Sequence, residues 1–215
     1  MGVLRPQLMA SQRTVGALLF EGFELLDVFG PLEAWGMLAA GGGWKVVTTA
    51  ESAGAVLSAQ GPHAVADFAL SQCPKLDVIL VPGGMGTRRQ VQNGVVLEWL
   101  KRRSGEAEIV TSVCTGAALL ARAGLLDGRS ATSNKLSFRW VVEQGPDVRW
   151  VRQARWVEDG RFVTSSGVSA GIDMTLSVIA KVTDLETAER IAVRMEYEWH
   201  RDPAWDPFAK IHGLV

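Results

Sequence analysis

Four short, almost wholly apolar segments recur along this 215-residue chain, and they constrain its fold more than any other feature. Each has the length and composition of a buried strand, and stretches with the apolar spacing of helices alternate with them. The four segments are Thr14–Phe20, Trp44–Thr49, Leu76–Val81 and Glu108–Val113. Strands that alternate with helices predict an α/β fold, in which a mostly parallel sheet is covered by helices on both faces.

The remaining elements are predicted from periodicity and turn residues. Helices are expected at residues 25–38, 95–103, 115–123, 136–143, 171–182 and 185–197, with Asp184 as the N-cap of the last. Short strands or a hairpin are expected at 56–66, and a hairpin at 149–165 turns at Glu158-Asp-Gly160. We therefore expect a flexible N-terminal arm at residues 1–13, one domain at 14–207 and a C-terminal tail at 208–215.

Composition narrows the class of protein. The chain is 47% hydrophobic and 21% charged, with a formal net charge of −1. That balance suits a globular domain and recommends neither nucleic acid nor an anionic membrane as a partner. No apolar run approaches the roughly 18 residues that cross a bilayer, and the first residues lack the apolar core of a signal peptide. With only Cys73 and Cys114, the chain is expected to be cytoplasmic with reduced thiols.

Cys114 is the residue most suited to chemistry. It follows the apolar run Ile109-Val-Thr-Ser-Val and precedes the small-residue segment Thr115-Gly-Ala-Ala, so it lies at a strand-to-helix turn. A nucleophile on such a turn is exposed above the sheet, and the free N–H groups of the helix favour its anion. We expect a reactive thiol here, with the thiolate favoured. Cys73 lies in a loop before a strand and is expected to be unreactive.

Asp27 is the best candidate for a proton carrier. It stands in Leu25-Leu-Asp27-Val-Phe29, near the start of a predicted helix. A carboxylate there could merely stabilise the helix dipole, but its apolar neighbours indicate partial burial, which is typical of catalytic acids and bases. Glu21 and Glu24 are nearby alternatives, and Glu33 lies further into the helix.

A glycine-rich turn, Pro82-Gly-Gly-Met-Gly86, follows the third apolar strand. It lacks the lysine of a phosphate loop, and as a lone glycine turn its signal is weak. Beside a reactive thiol, however, the amides of Gly84 and Thr115 become candidate donors of an oxyanion hole. The histidines at 63, 200 and 212 have no position that marks them as a base, and no metal-ligand motif or cofactor motif is evident. We therefore expect neither a metal nor a cofactor.

Together these motifs resemble the ThiJ/PfpI superfamily, a group similar to class I glutamine amidotransferases. The resemblance runs from about residue 14 to 207, and it rests on the motifs Leu26-Asp-Val-Phe-Gly-Pro31, Val81-Pro-Gly-Gly84, Ser112-Val-Cys-Thr-Gly116, Ala123-Gly-Leu-Leu-Asp-Gly128 and Ser166-Gly-Val-Ser-Ala-Gly-Ile-Asp173. It implies a flavodoxin-like, doubly wound domain. An aspartate in the first motif and Cys-Thr-Gly after Ser-Val resemble the isocyanide (isonitrile) hydratase branch.

That resemblance implies a lyase that adds water to an isocyanide and releases an N-substituted formamide. Cys114 would attack the isocyanide carbon to form a thioimidate, Asp27 would move the protons, and Thr115 would orient groups at the thiol. It also implies a homodimer with the site close to the interface. Met85, Asn134 and Gly167 are candidate residues of the substrate pocket.

One departure from the branch concerns the segment downstream of the cysteine. Relatives commonly read Thr-Thr-His-Trp there, whereas this chain reads Thr132-Ser-Asn134-Lys135. Two further hypotheses therefore stay open. One is glyoxalase, deglycase or hydrolase activity of the same superfamily. The other is a non-enzymatic role, as a redox or ligand sensor based on the cysteine or as the sensing domain found in some helix-turn-helix regulators.

Overall fold

The structure is a computed structural model that describes residues 12–215. Most of the arm predicted at residues 1–13 lies outside the described residues. Arg13, its last residue, already belongs to the first strand, where its main-chain N–H donates to the carbonyl oxygen of Gly43 at 2.9 Å.

Residues 12–107 contain six strands and three helices. The strands are β1 (Arg13–Leu18), β2 (Trp44–Ala50), β3 (Gly54–Leu57), β4 (His63–Ala66), β5 (Phe68–Ala69) and β6 (Val78–Val81). The helices are α1 (Leu25–Ala40), α2 (Thr87–Gln90) and α3 (Gly94–Glu106). β3 and β4 form the expected antiparallel hairpin.

The C-terminal half contains five strands and five helices. The strands are β7 (Ile109–Ser112), β8 (Ser130–Ala131), β9 (Arg149–Trp150), β10 (Trp156–Asp159) and β11 (Phe162–Ser165). The helices are α4 (Gly116–Arg122), α5 (Phe138–Glu143), α6 (Ala170–Val182), α7 (Leu185–Arg194) and α8 (Phe208–Ile211). Asp184 caps α7, as predicted, and accepts a hydrogen bond from the Thr187 amide at 2.7 Å.

The central sheet has seven strands in the order β10-β11-β7-β6-β1-β2-β5, and only β10 pairs antiparallel. From β1 the chain first moves outward to β2, and it later continues on the other side of β1 at β6 and β7. The connection through α1 runs from β1 to β2, and the one through α3 runs from β6 to β7, in the opposite direction across the sheet. Because both crossovers are expected to be right-handed, α1 and α3 lie on opposite faces. The predicted mostly parallel, doubly wound sheet is thus confirmed.

Strand order reverses between β1 and β6, and this position fixes where a site can form. In an open α/β sheet a crevice opens beyond the carboxyl ends of the strands at such a reversal. The segment from Leu19 to α1 follows β1, and the glycine-rich turn Pro82–Gly86 follows β6. Cys114 follows the next strand, β7. The topology therefore brings Asp27, the glycine turn and Cys114 to one edge of the sheet.

A predicted strand and a predicted helix of the C-terminal half differ from the observed elements. Residues 149–157 do not form one strand of the hairpin: β9 pairs with β8 instead, and the hairpin begins at Trp156. Between them, the Arg155 amide donates to the Pro203 carbonyl oxygen at 2.7 Å, and the buried Arg155 side chain binds Asp173. The predicted helix at 185–197 ends at Arg194, because Glu196 adopts a positive φ of 50°.

The C-terminal residues pack onto the domain. α8 lies within the predicted tail at 208–215, and Ala209 and Leu214 are buried against Phe138 of α5. Just before α8, the carboxylate of Asp206 lies 3.1 Å from the buried ammonium of Lys135. The tail is therefore attached to the segment that precedes α5.

Replacement of a side chain on a central strand tests whether that side chain packs in the core. Leu80 of β6 is 1% exposed and is flanked by strands on both sides. Leu80→Ala is expected to lower the free energy of unfolding by about 3 kcal/mol, because it removes buried methyl groups and leaves a cavity. Urea unfolding measures this change. Leu136→Ala, at a position that is 76% exposed, should change it by under about 0.5 kcal/mol; equal losses in both variants would contradict this description of the core.

Candidate active site

Cys114 occupies a strained turn between β7 and α4. Its φ is +57°, a conformation that side chains other than glycine rarely adopt. Two hydrogen bonds hold its backbone: its amide donates to the Ser166 carbonyl oxygen at 3.1 Å, and Ser133 Oγ donates to the Cys114 carbonyl oxygen at 2.7 Å. The strand-to-helix elbow predicted from the sequence is present, and the surrounding structure compensates its strain.

The glycine turn approaches this elbow so closely that side chains would not fit. A Cβ on Gly83 would lie 2.5 Å from the Thr115 nitrogen and 2.8 Å from Cys114 Cβ. A Cβ on Gly116 would lie 2.2 Å from the Val81 carbonyl oxygen. Glycine at both positions lets the chain after β6 lie directly against the turn that carries the thiol.

Asp27 is fully buried in the first turn of α1. Its Oδ2 accepts a hydrogen bond from the Gly83 amide at 2.8 Å. Its Oδ1 is buried and accepts no hydrogen bond of ordinary geometry from a described residue, but the Cys114 thiol lies close enough to the carboxyl to lower its pKa. Burial outweighs both neighbours and raises the pKa of Asp27 to about 7. The carboxyl can therefore gain or lose a proton near neutral pH.

The Cys114 thiol has a raised pKa, contrary to the expected preference for thiolate. Its burial is the largest cause, and the nearby Asp27 charge is the second. The Thr115 amide hydrogen-bonds to the sulfur and lowers the pKa, but this effect is smaller. The helix terminus is thus outweighed by desolvation. At neutral pH the site therefore holds a thiol, rather than a thiolate, beside a carboxyl group.

Thr115 connects the elbow to the glycine turn. Its Oγ1 accepts hydrogen bonds from the Gly84 amide at 3.0 Å and from Thr87 Oγ1 at 3.1 Å. The Gly84 N–H is therefore engaged by Thr115, and its expected role as an oxyanion donor stays a prediction. The Thr115 amide, the other predicted donor, hydrogen-bonds to the sulfur.

The alternative carboxylates take other positions. Glu24 precedes α1 and binds the Gln60 amide at 2.7 Å, and its charge contributes to the raised pKa of both Asp27 and Cys114. Glu21 is exposed and lies 3.5 Å from Arg89. No histidine among residues 12–215 hydrogen-bonds to Cys114 or Asp27: the ring of His200, for example, stacks on Trp205 at 4.5 Å. Asp27 is therefore the carboxyl group that contacts the thiol.

Two of the three predicted pocket residues lie together. Asn134 and Gly167 line one pocket of about 220 Å³, which Val168, Ser169 and Phe208 also line. A Cβ on Gly167 would lie 2.4 Å from the Asn134 amide nitrogen, so glycine makes room for that side chain. Met85 does not line this pocket and is 65% exposed. No local pattern points to Ser133, because its contact with Cys114 joins two segments that are 19 residues apart.

Two broader features of the described residues bear on function. Residues 12–215 contain no cluster of three or more histidine, cysteine, aspartate or glutamate side chains able to hold a metal ion. Within the same residues, none of the helices combines the length and the apolar character that crossing a membrane requires.

The protein is an α/β domain with a cysteine on a strained elbow, a buried carboxyl beside that cysteine and a glycine turn packed against both. These are the segments on which the ThiJ/PfpI resemblance rests. The chain belongs to the DJ-1/PfpI family, whose model matches residues 13–181. This membership confirms the superfamily resemblance drawn from the sequence motifs.

Individual relatives differ in their described roles. The chain is 32% identical to an isonitrile hydratase of Pseudomonas putida over 185 residues, which cover 85% of this chain and 78% of that protein. It is also 32% identical over 149 residues to the HTH-type transcriptional regulator CdhR of Pseudomonas aeruginosa, but spans only 43% of that protein. Among solved structures, a ThiJ/PfpI family protein from Pseudomonas syringae matches 96% of this chain and 84% of its own, with a TM-score of 0.80 and 30% identity.

The pH dependence of stability tests the burial of Asp27. Its pKa rises from an ordinary 3.8 to about 7 on folding, so its contribution to stability is full below pH 4 and is lost as pH rises through 7. Asp27→Asn keeps an acceptor for Gly83 but carries no charge. Relative to wild type, its free energy of unfolding should gain about 2 kcal/mol or more between pH 5 and 8.

Urea titrations at each pH measure this difference. Glu33→Gln is the matched control, because it removes an exposed carboxylate from the same helix and should leave the wild-type pH dependence in place. An Asp27→Asn variant whose stability follows that of wild type across this pH range would show that Asp27 has an ordinary pKa.

Proposed function

We propose that this protein is an isonitrile hydratase-like lyase, which adds water to a small isocyanide and releases an N-substituted formamide. The observation that carries the proposal is the buried pair of Cys114 and Asp27, in which a thiol and a carboxyl with a pKa of about 7 share one site. The similarity to an isonitrile hydratase over 85% of the chain supports the same reaction.

The first step suits the chemistry of an isocyanide, R–N≡C, whose terminal carbon accepts both a proton and a nucleophile. Ionised Asp27 takes the thiol proton as Cys114 Sγ forms a bond to that carbon. The protonated carboxyl then donates the same proton to the carbon, which yields a thioimidate, R–N=CH–S–Cys. Asp27 is ionised again after this transfer and the thioimidate is neutral, so the step adds no further charge to a buried site in which charges are poorly solvated.

The second step releases the product. A water molecule adds to the thioimidate carbon, and Asp27 takes one of its protons and passes it to the imine nitrogen, which gives the adduct R–NH–CH(OH)–S–Cys. Asp27 then takes the hydroxyl proton of this adduct as the carbon–sulfur bond breaks and R–NH–CHO departs, and it returns that proton to the sulfur. The net change is addition of one water molecule, with the thiol and carboxyl restored. Dividing the addition into two steps is the usual benefit of a covalent intermediate.

The other residues of the site support these steps. The Gly83 amide fixes one oxygen of Asp27 and leaves the other for proton transfer. The Thr115 amide stabilises negative charge on the sulfur as the bond forms and breaks. Neither Cys114 nor Asp27 lines the pocket of about 220 Å³, but Ser166 does, and its carbonyl oxygen accepts the Cys114 amide at 3.1 Å. This adjoining pocket is our candidate position for a small R group.

The buried thiol bears on the alternative roles. Cysteines that sense oxidants are usually exposed and have a low pKa. Cys114 is 6% exposed and has a raised pKa, which disfavours a redox sensor. The superfamily's α-oxoaldehyde chemistry is tested directly below.

Turnover of an isocyanide tests the proposal. Wild-type protein should convert cyclohexyl isocyanide to N-cyclohexylformamide, and Cys114→Ala should show none, because it cannot form the covalent intermediate. Asp27→Asn should lower kcat by about 10²- to 10⁴-fold, the usual contribution of a proton-transfer group. Gas chromatography of the formamide measures both effects.

Cys73→Ala is the control and should keep wild-type activity, because Cys73 lies in the loop before β6, at the opposite edge of the sheet from Cys114, which follows the carboxyl end of β7. Lactate formed from methylglyoxal in a parallel assay, with no formamide from the isocyanide, would replace this proposal with the glyoxalase alternative.

A further inference from the structure

The segment Thr132–Lys135, between β8 and α5, forms the back of the nucleophile elbow. Ser133 is fully buried, and its Oγ donates to the Cys114 carbonyl oxygen at 2.7 Å. The Thr132 amide donates to Thr164 Oγ1 at 2.9 Å, which ties the segment to β11. The position of Cys114 therefore depends on a stretch of chain that follows it by 19 residues.

The buried ammonium of Lys135 hydrogen-bonds to two residues of this segment. The Lys135 side chain is 1% exposed, and its ammonium donates to Thr132 Oγ1 at 2.7 Å and to the Ser133 carbonyl oxygen at 3.1 Å. The same ammonium lies 5.4 Å from the centre of the Phe138 ring. Both of its hydrogen bonds go to the residues that support Cys114.

The counter-charge comes from Asp206, two residues before α8. Asp206 Oδ2 lies 3.1 Å from the Lys135 ammonium, and the Asp206 side chain is also 1% exposed. Its Oδ1 accepts the Phe208 amide at 2.9 Å, at the start of α8. One carboxylate thus fixes both the lysine and the start of the terminal helix.

A buried ion pair is a weak source of stability, because desolvation offsets the attraction between the charges. Apolar side chains of similar volume would fill this space at least as well. What they would not supply is the set of hydrogen bonds to Thr132 and Ser133. The arrangement is therefore suited to fixing a conformation.

We propose that Lys135 and Asp206 are positioning residues for Cys114, and that they act through Ser133 to keep the nucleophile buried in its left-handed turn. The Asp206 carboxylate orients Lys135, and Lys135 holds the segment Thr132–Lys135 in place. The Ser133 hydroxyl then fixes the Cys114 peptide. The inference rests on the proposed function only in taking Cys114 as the reactive thiol.

If the contacts among Asp206, Lys135 and Ser133 are removed, the Cys114 thiol should become more accessible to water. Asp27 and Glu24 are the charged groups that act on the thiol, Asp206 faces Lys135, and His212 lines the adjoining pocket. If the segment loosens, water reaches the sulfur and the burial that suppresses the thiolate is reduced. Cys114 then becomes easier to alkylate, while its alignment with Asp27 and its catalytic turnover are impaired.

Alkylation by iodoacetamide, followed by mass spectrometry of each cysteine, measures this effect without any isocyanide. In Ser133→Ala and in the double variant Lys135→Met with Asp206→Leu, the Cys114 rate constant at pH 9 should rise at least tenfold. Profiles from pH 7 to 10 should show the shift of the titration toward lower pH. Cys73, in the same molecule, should change less than twofold.

The controls separate positioning from stability. The double variant keeps apolar packing and should retain a Tm near wild type, whereas Leu100→Ala opens a cavity on α3 and should lower Tm without changing Cys114 alkylation. Ser133→Ala removes one hydroxyl and serves if the double variant fails to fold. An unchanged Cys114 rate in Ser133→Ala or in the folded double variant, or a rise in Leu100→Ala equal to that in Ser133→Ala, would overturn the proposal.

Turnover gives an independent readout. If wild type hydrates isocyanides, the two variants should show a kcat at least tenfold lower with KM within about twofold, because alignment rather than binding is lost. If wild type shows no turnover but Cys114 alkylation rises as expected, the positioning role stands and the proposed function falls.

Discussion

The burial of the Asp27 carboxyl beside the Cys114 thiol is the interaction on which the rest of the site depends. A carboxyl exposed to water would be fully ionised at neutral pH and would be a poor proton donor. Burial moves its pKa to about 7, where it can both accept and return a proton. The same burial suppresses the thiolate of Cys114, so the titrations of the two groups are coupled. In the proposed mechanism, the thiol proton moves to Asp27 as the bond to substrate forms.

The fold produces this pair by bringing three strand ends to one point. The reversal of strand order between β1 and β6 opens a crevice, which the glycine turn fills so tightly that its Gly83 amide reaches Asp27. The φ of +57° at Cys114 costs on the order of 1–3 kcal/mol, which must be offset by surrounding contacts. Ser166, Ser133 and the buried Lys135–Asp206 pair supply those contacts from the C-terminal half.

Much of this arrangement was predictable from the sequence, since its signals are local. Short apolar runs marked the parallel strands, the run into Cys114 marked the elbow, and the apolar neighbours of Asp27 marked its burial. Elements of two to four residues, such as β5, α2 and α8, are too short to show periodicity.

Other features arise from contacts between distant segments. The Gly84 amide donates to Thr115, 31 residues away, and the ammonium of Lys135 lies against the carboxylate of Asp206, just before α8. The raised pKa of Cys114 reflects how deeply the complete fold buries it, which a strand-to-helix pattern does not specify. The homodimer implied by the superfamily resemblance stays a prediction.

The most direct test of the central claim is the titration of Asp27 itself, followed by NMR of protein labelled with ¹³C at the aspartate carboxyls. Comparison with Asp27→Asn identifies the resonance. In wild type it should titrate near pH 7, and in Cys114→Ala it should titrate at a higher pH, because the thiol that stabilises the carboxylate is gone. A resonance that titrates near pH 4 in wild type, or that is unaffected by Cys114→Ala, would contradict the account of a shared proton.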